Sequence, residues 1–328
     1  MPVRKFSQWL MMIAATVSLC ASTAAPAFEQ SFPKAPVRFV VSTPAGGVTD
    51  VIARLVADGL SARWGQPVIV DNRPGGNHAV SALAVERSAP DGYTLLVTSD
   101  TTFTANPFMI ERLAYTPKNF IPIMVLCSIT PMLVVNDALP IKSVKELIAY
   151  AKSKPGGLSY GSFGSGTYAH LSMEDLKQRA GIDVGHVPYR GAAPAVTDLL
   201  AGNISMMLIN LSTIDQHEGP GKVRIIAAAG DGRAPTRPEL PTISQAGVPG
   251  FSTSAWFGLF GPAGMPGNLV KKIHADVGTV LDANATQEFF REHSLNRVDL
   301  SAEGTRQVME RDSSHWGKLI KSLGVKRD

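Results

Sequence analysis

The stretch "STPAGGVTDVIARLVADGL", Ser42–Leu60, decides how the chain is read. A strand-like apolar run, Val37–Ser42, passes through Pro44-Ala45-Gly46-Gly47 straight into an amphipathic segment, Asp50–Trp64, whose Ile52, Leu55, Val56 and Leu60 recur at helical spacing. Glycine at a strand-to-helix junction lets the backbone come close to another group. The amides of Ala45 through Thr49 are expected to point out of the helix start, unpaired within the helix and at the positive end of its dipole. A carboxylate placed there can accept several hydrogen bonds. The same residues also allow a purely structural turn, with Thr49 and Asp50 as first-turn caps.

Outward from this junction the pattern alternates strand and helix. Val68–Asp71 reads as a strand, Val80–Arg87 as a helix, Pro90-Asp91-Gly92 as a turn and Tyr93–Thr98 as a third strand. That β-α-β-α-β order implies a parallel sheet with right-handed crossovers. A second unit follows Pro131, with strands at Met132–Val135, Leu158–Gly161, His186–Tyr189, Ser205–Asn210 and Val223–Ala229. Its helices run from the cap Ser143 through Lys152, over Ala169–Arg179 and over Ala193–Ala201. Phe251–Gly261 adds a strand, and the tail is helical at Leu269–Leu281, Thr286–Glu292 and Glu303–Leu323. Two such units predict two lobes, with the chain crossing between them near Ser128–Pro131 and again near Val248–Ser254. The expected division is a leader over 1–27, a first lobe of 28–128 plus 254–328, and a second lobe of 129–253.

A chain of 328 residues exceeds the size at which one hydrophobic core keeps growing, which agrees with two lobes. Apolar residues are plentiful and charged ones few, so long disorder is excluded. Arg4 and Lys5, the apolar run Trp9–Leu19 and the small residues around Ala25-Pro26-Ala27 read as a secretory signal cleaved near Ala27. Cys20 lies where a lipid-anchored cysteine would follow the apolar run, but Leu19 occupies the place of the small residue such a site needs. Cleavage leaves Cys127 as the single thiol, so no intrachain disulfide can form. It also lowers the formal charge from +4 to +2 by removing Arg4 and Lys5. Lys and Arg are dispersed without interleaved aromatics, which argues against nucleic acid. The expectation is an exported, soluble protein.

Further glycine-bearing junctions lie in the second unit. Tyr160-Gly161-Ser162-Phe163-Gly164-Ser165-Gly166-Thr167 has P-loop spacing at Gly161 and Gly166, but Thr167 stands where the phosphate-binding lysine must be. Neither Ser162 nor Ser165 is flanked by glycines at two residues' distance, so there is no nucleophile elbow, and the dinucleotide fingerprint fails in spacing. A polar loop able to receive an uncharged or anionic ligand remains. In Val187-Pro188-Tyr189-Arg190-Gly191, Arg190 either forks onto a carboxylate or is a solvated charge, and Tyr189 either packs in the core or meets a ligand. Ser99-Asp100-Thr101-Thr102 follows the third strand and opens at the same sheet edge as Pro44–Gly47. Ser99 and Thr101 are candidate contacts there, while Asp100 is either a cap or a group for an amine or hydroxyl. His170 and Glu174 share a helix face but make no metal site by themselves, and no HExxH or Cys/His cluster occurs, so neither metal nor cofactor is called for. Trp256 and Trp316 read as packing residues.

Taken in order, "PAGGVTDVIAR", "DNRPGG", "PDGYTLL", "ELIAYAKSKPGGLSYGSFGSGTYAHLSME", "HVPYRGAAPAVTDLLAG" and "WFGLFGPAGMP" resemble the Bug-type, TctC-like solute receptors of tripartite tricarboxylate transporters, from about Pro33 to the C-terminus. The resemblance implies an α/β, two-lobed periplasmic binding protein of type II (Venus-flytrap) with two parallel-core sheets flanked by helices. It implies a monomer without catalytic residues that encloses a small organic carboxylate and presents it to membrane transporter subunits; a sensor reporting carboxylate availability to a signalling partner would carry the same chain. Binding positions carry over onto Ala45, Gly46 and Gly47 in the first lobe and onto Ser165, Gly166, Thr167, Tyr189, Arg190 and Gly191 in the second, with Asn210 as a further cleft position. Two departures stand out. Ser42-Thr43 replace the family's common Pro-Phe, and Pro74-Gly75-Gly76-Asn77-His78 replace its common Pro-Gly-Ala-Gly-Gly, which adds two polar side chains.

Overall fold

Apolar runs of four to six residues, separated by helices with one apolar face, build the strands. The computed structural model describes residues 32–219 and 221–324; the expected leader over 1–27, with Cys20 and the Ala27 cleavage position, lies outside them. The first strands are β1 (Val37–Val41), β2 (Val68–Asn72), β3 (Thr94–Ser99) and β4 (Phe120–Ile129). Next come β5 (Met132–Asn136), β6 (Ser159–Ser162), β7 (Gly185–Pro188), β8 (Met206–Ile209) and β9 (Val223–Ala228). β10 (Ala255–Pro262) and β11 (Leu295–Asn296) follow. The longer helices are α1 (Val48–Trp64), α2 (Ala79–Glu86), α3 (Val144–Ser153), α4 (Tyr168–Ala180), α5 (Ala192–Ala201), α6 (Gly267–Leu281), α7 (Asn284–Glu292) and α8 (Ala302–Leu323). One-turn helices cover Thr101–Thr104, Asn106–Met109 and Leu211–Ile214.

The strands form two sheets, ordered β11-β4-β10-β3-β1-β2 and β7-β6-β8-β5-β9. β1 runs parallel to β2 and β3, and β6 runs parallel to β7 and β8. Within each parallel set lies one inserted strand of opposite direction, β10 between β3 and β4 and β5 between β8 and β9, while β11 adds a short antiparallel strand at the outer edge of β4. Apart from β11 the two sheets therefore share one order, β2-β1-β3-β10-β4 and β7-β6-β8-β5-β9. The fold is the expected α/β, two-lobed one with a parallel core in each sheet.

Burial explains the sequence pattern of β5. Leu133 and Val135 pack with Tyr160, Met206 and Leu208 on one face, while Met132 and Val134 pack with Ala195, Met207 and Ile209 on the other. Helices cover both faces, so the strand reads as an unbroken apolar run rather than an alternation. In the first sheet Val40, Leu96, Phe103, Phe120, Trp256 and Phe260 form one cluster, with Phe103 tilted against Phe260 at 4.5 Å between ring centres. α8 is capped by Ser301, whose hydroxyl accepts from the Gly304 amide at 3.0 Å. Its Trp316, Leu319 and Ile320 pack on Ala105 and Met109 and on Leu171 of α4, so this helix touches elements of both sheets. Trp256 and Trp316 are buried, and the Trp256 indole N–H donates to Asp312 at 2.8 Å.

Two elements depart from the sequence pattern. β4 is not announced by it, because Pro122 interrupts the run and proline cannot donate to a ladder. The strand tolerates it because β11 pairs only with Ser128 and Ile129, leaving the Pro122 end as a sheet edge. The strand expected from Phe251 begins only at Ala255, because Phe251 and Thr253 donate their amides to Val248 and Ala229 and stay with the other sheet.

Leu133, with no exposed surface on the central β5, and Ile69, 51% exposed on the edge strand β2, separate burial from residue type. Leu133→Ala is expected to cost about 2–5 kcal/mol and Ile69→Ala to stay within about 0.5 kcal/mol in urea unfolding. Similar losses at both sites would contradict the packing described.

Candidate functional site

The carboxyl ends of the parallel strands in both sheets open at the end where the chain crosses. Ser99, the last residue of β3, pairs with Phe257 near the start of β10. Ile209, the last of β8, pairs with Met132, the first of β5. The loops after β1, β3, β6, β7 and β8 therefore gather where ligands of open α/β sheets bind.

In the first of these loops Ala45 and Gly46 are exposed, and Gly46 has φ +89 with open space where a β-carbon would point. No side chain caps the start of α1 at Gly47. One expectation needs correction: the Gly46 amide is not unpaired but donates to Asp50 Oδ2 at 2.9 Å. Asp50 is buried and also receives Arg54 Nη2 at 2.9 Å and Asn72 Nδ2 at 2.8 Å. Burial pushes its carboxyl upward, but the bonds from Arg54, Gly46 and Asn72 outweigh this and hold it below the usual carboxylate range. Asn72 Nδ2 also donates to the Thr43 carbonyl at 3.0 Å, so Asp50 and Asn72 together fix the loop from both ends. The first-turn acid acts as a brace for the loop.

Beside this loop a chain of hydroxyls runs inward. Thr98 Oγ1 donates to Ser42 Oγ at 2.9 Å and lies 2.6 Å from Thr102 Oγ1. A hydroxyl has one proton, so Thr102 donates to Thr98, and the His78 Nδ1 at 3.0 Å from Thr102 Oγ1 must carry a proton itself. Ser99 Oγ lies 3.4 Å from the same nitrogen. Asn77 and His78 both adopt positive φ, and Asn77 is locked by a reciprocal pair of hydrogen bonds with Asn106. Thr101 is buried, with its amide and hydroxyl both turned to Asp100 Oδ1. Burial, opposed by the Thr101 amide, pushes the Asp100 carboxyl up to about 7. Asp100 is thus a buried cap of the helix Thr101–Thr104.

On the second sheet, Gly164 and Gly166 take φ +130 and +85, which the turn from β6 into α4 requires. Thr167 is the N-cap, and its hydroxyl donates to the Gly164 carbonyl at 2.8 Å. Ser165 is half-buried between these glycines. Two histidines support the loop from below. The Gly166 amide donates to His170 Nδ1 at 3.0 Å, and His186 Nε2 lies 2.7 Å from Ser162 Oγ, whose hydroxyl contacts Gly164. The two imidazoles stack at 4.1 Å, and Tyr160 stacks on His186 at 4.8 Å. Burial lowers the His170 pKa, with Glu174 opposing and Lys177 assisting. Burial and the facing His170 bring His186 down to about 4. An Nδ1 that accepts the Gly166 N–H cannot be protonated, so the loop geometry holds the neutral form.

Tyr189 places its phenol on Asp198 Oδ2 at 2.6 Å and packs in the apolar cluster of β5 and β8. Arg190 is exposed, and Gly191, at φ +116, forms an uncapped start to α5 with open space around it. Asn210, at the end of β8, is 3% exposed and donates to Ser212 Oγ and to the His293 carbonyl at 3.3 Å. The two sets of loops meet directly: a β-carbon on Gly166 would lie 2.6 Å from Met109 Sδ and 3.5 Å from Asn77 Nδ2. Met109 and Asn106 carry no sequence signal, since Met109 meets Gly166 only through packing between the two sets of loops and Asn106 reaches Asn77 from 29 residues away.

The chain matches the family model described as "Tripartite tricarboxylate transporter family receptor" over residues 52–325. An R. palustris protein solved with adipate is 32% identical, has a TM-score of 0.83, and aligns over 90% of this chain and 99% of its own. The periplasmic binding protein BugD is 29% identical with a TM-score of 0.79, over 90% and 100%. MatC from Rhodopseudomonas palustris, solved with malate, is 29% identical with a TM-score of 0.78, over 88% and 100%.

The histidine pair makes stability depend on pH in a defined direction. An unfolded imidazole titrates near 6.5, and both folded values are lower, so this stabilisation is complete above about pH 6.5 and is lost as pH falls toward 4. His170→Gln keeps an acceptor for the Gly166 amide without a titrating proton; its melting temperature is expected to fall less between pH 7 and pH 5 than that of the unaltered protein, and an equal fall would refute the assignment. Gly166→Ala and Met109→Ala are expected to be non-additive in denaturant unfolding, with a coupling of about 0.5–3 kcal/mol. Additive costs would remove the contact between the loops.

Proposed function

Since the chain belongs to the tripartite tricarboxylate transporter receptor family, we propose that it captures a small organic carboxylate between its lobes in the periplasm and delivers it to the membrane subunits of such a transporter. One observation carries this reading. Glycine-bearing strand-to-helix junctions on both sheets, at Gly46-Gly47, Gly164–Thr167 and Arg190-Gly191, open at the same end, where the crossings bring the sheets together. Helix starts aimed at one place suit a carboxylate, which accepts hydrogen bonds and balances the dipoles. Relatives of similar fold solved with adipate and with malate support the same ligand class.

The proposed binding set is Ala45, Gly46, Gly47 and Ser99 on the first lobe and Ser165, Gly166, Thr167, Arg190, Gly191 and Asn210 on the second. Thr101 and Tyr189 act behind it, through Asp100 and Asp198. The first lobe comprises 28–128 and 254–328 and the second 129–253, a division supported by sheet membership. A carboxylate docks on the braced start of α1; the loops of β6 and β7 then close over it as the crossings at Thr130-Pro131 and before Ala255 bend. Closure removes water and strengthens the amide–carboxylate bonds. The protein works as a monomer, with binding rather than chemistry as its task, and the leader is cleaved near Ala27 on export.

Calorimetric titration and thermal shift against C3–C8 mono- and dicarboxylates check the reading. A ligand at 100 times its Kd stabilises the folded state by about 2.7 kcal/mol, enough to raise the melting temperature by several degrees. Absence of heat and of any shift across the panel would overturn it.

A further inference from the structure

Among the described residues, two buried side-chain polar atoms have no hydrogen-bond partner, Thr43 Oγ1 and Asn210 Oδ1. Thr43 follows β1 and Asn210 follows β8, so each lies just past the carboxyl end of a strand, one per lobe. A buried polar atom without a partner is unfavourable and calls for an explanation. The Thr43 hydroxyl can donate or accept, so it does not discriminate between ligand groups. Asn210 does. Its Nδ2 faces the His293 carbonyl, which only accepts, so the amide cannot be turned over, and the orphan atom is an acceptor.

A carboxylate cannot satisfy that acceptor, because ionised it has no proton to donate. Building on the carboxylate-receptor reading above, we propose that Asn210 is a specificity-determining residue that selects carboxylates carrying a hydroxyl or ammonium group, which donates to Asn210 Oδ1. The amides of the helix starts hold the acid group, while Asn210 reads the donor elsewhere on the same small molecule. The other half of the Asn210 amide reaches the His293 carbonyl, just before β11 of the first sheet. The residue that recognises the donor is therefore also a bond between the lobes, so a donor-bearing ligand completes the amide's bonding in the closed form. A ligand of equal length without a donor leaves Oδ1 unpaired or dependent on a trapped water.

Matched pairs test this: succinate against L-malate, D-malate and L-aspartate, and propionate against L-lactate, titrated calorimetrically at pH 7.5 into the unaltered protein and into Asn210→Leu. The donor-bearing member of at least one pair is expected to bind at least about tenfold more tightly to the unaltered protein, because a site built to bond a donor rejects the analogue lacking it. Asn210→Leu should bring that ratio within about twofold, chiefly by weakening the donor-bearing member. Equal affinities within every pair, or a ratio that persists in Asn210→Leu, would overturn the assignment while leaving carboxylate binding intact. No binding by any of these acids would overturn the carboxylate reading and this inference together. Should Asn210→Leu fail to fold, the ratio in the unaltered protein decides alone.

Discussion

Two short crossings govern the rest of the structure. β4 and β5 are separated only by Thr130 and Pro131, and the return into β10 starts as soon as Thr253 releases the Ala229 carbonyl. A strand that enters a sheet from the other lobe must run against the strands already there, and β5 and β10 do so. That reversal turns the carboxyl ends of both parallel sets toward the crossings. Five loops with unrelated sequences thus come to one place, and none of them needs a special fold of its own.

The loops are held by buried polar groups rather than by apolar packing. On the first sheet Asp50 and Asn72 tie the Gly46 amide and the Thr43 carbonyl, and Asn106 keeps Asn77 in its positive-φ conformation. On the second, His170 receives the Gly166 amide and stacks on His186. The Asp50 and His170 braces each hold the amide of a positive-φ glycine, Gly46 with open space beyond it and Gly166 facing Met109. Low local polarity strengthens such bonds when all partners are present and makes a missing one costly. Asn210 Oδ1 and Thr43 Oγ1 are the exceptions among the described residues, and they follow the carboxyl ends of β8 and β1.

Two of these buried groups respond to acid in opposite directions. The His170 and His186 rings prefer to be neutral, so protons loosen the second-lobe loop. The buried Asp100 prefers to be protonated, so acid relieves a penalty in the first lobe. The two effects oppose each other in global stability but act on different sheets' loops. A single melting curve therefore reports their difference and hides where each one acts.

What the sequence determined by itself was the alternation of elements, the glycine-bearing junctions and the resemblance that those motifs carry. These are local: apolar period, turn chemistry and helix capping depend on residues a few positions apart, as Ser143 and Ser301 illustrate at the starts of α3 and α8. β4 escaped that reading because Pro122 is tolerated only through its place at a sheet edge. Tertiary structure alone decided that Asp50 takes the Gly46 amide, that Tyr189 faces Asp198 and that Met109 meets Gly166. It alone put Asn210 against the His293 carbonyl, 83 residues away. Such pairings depend on which groups remain unpaired after burial, and burial is a property of the assembled lobes, not of any segment.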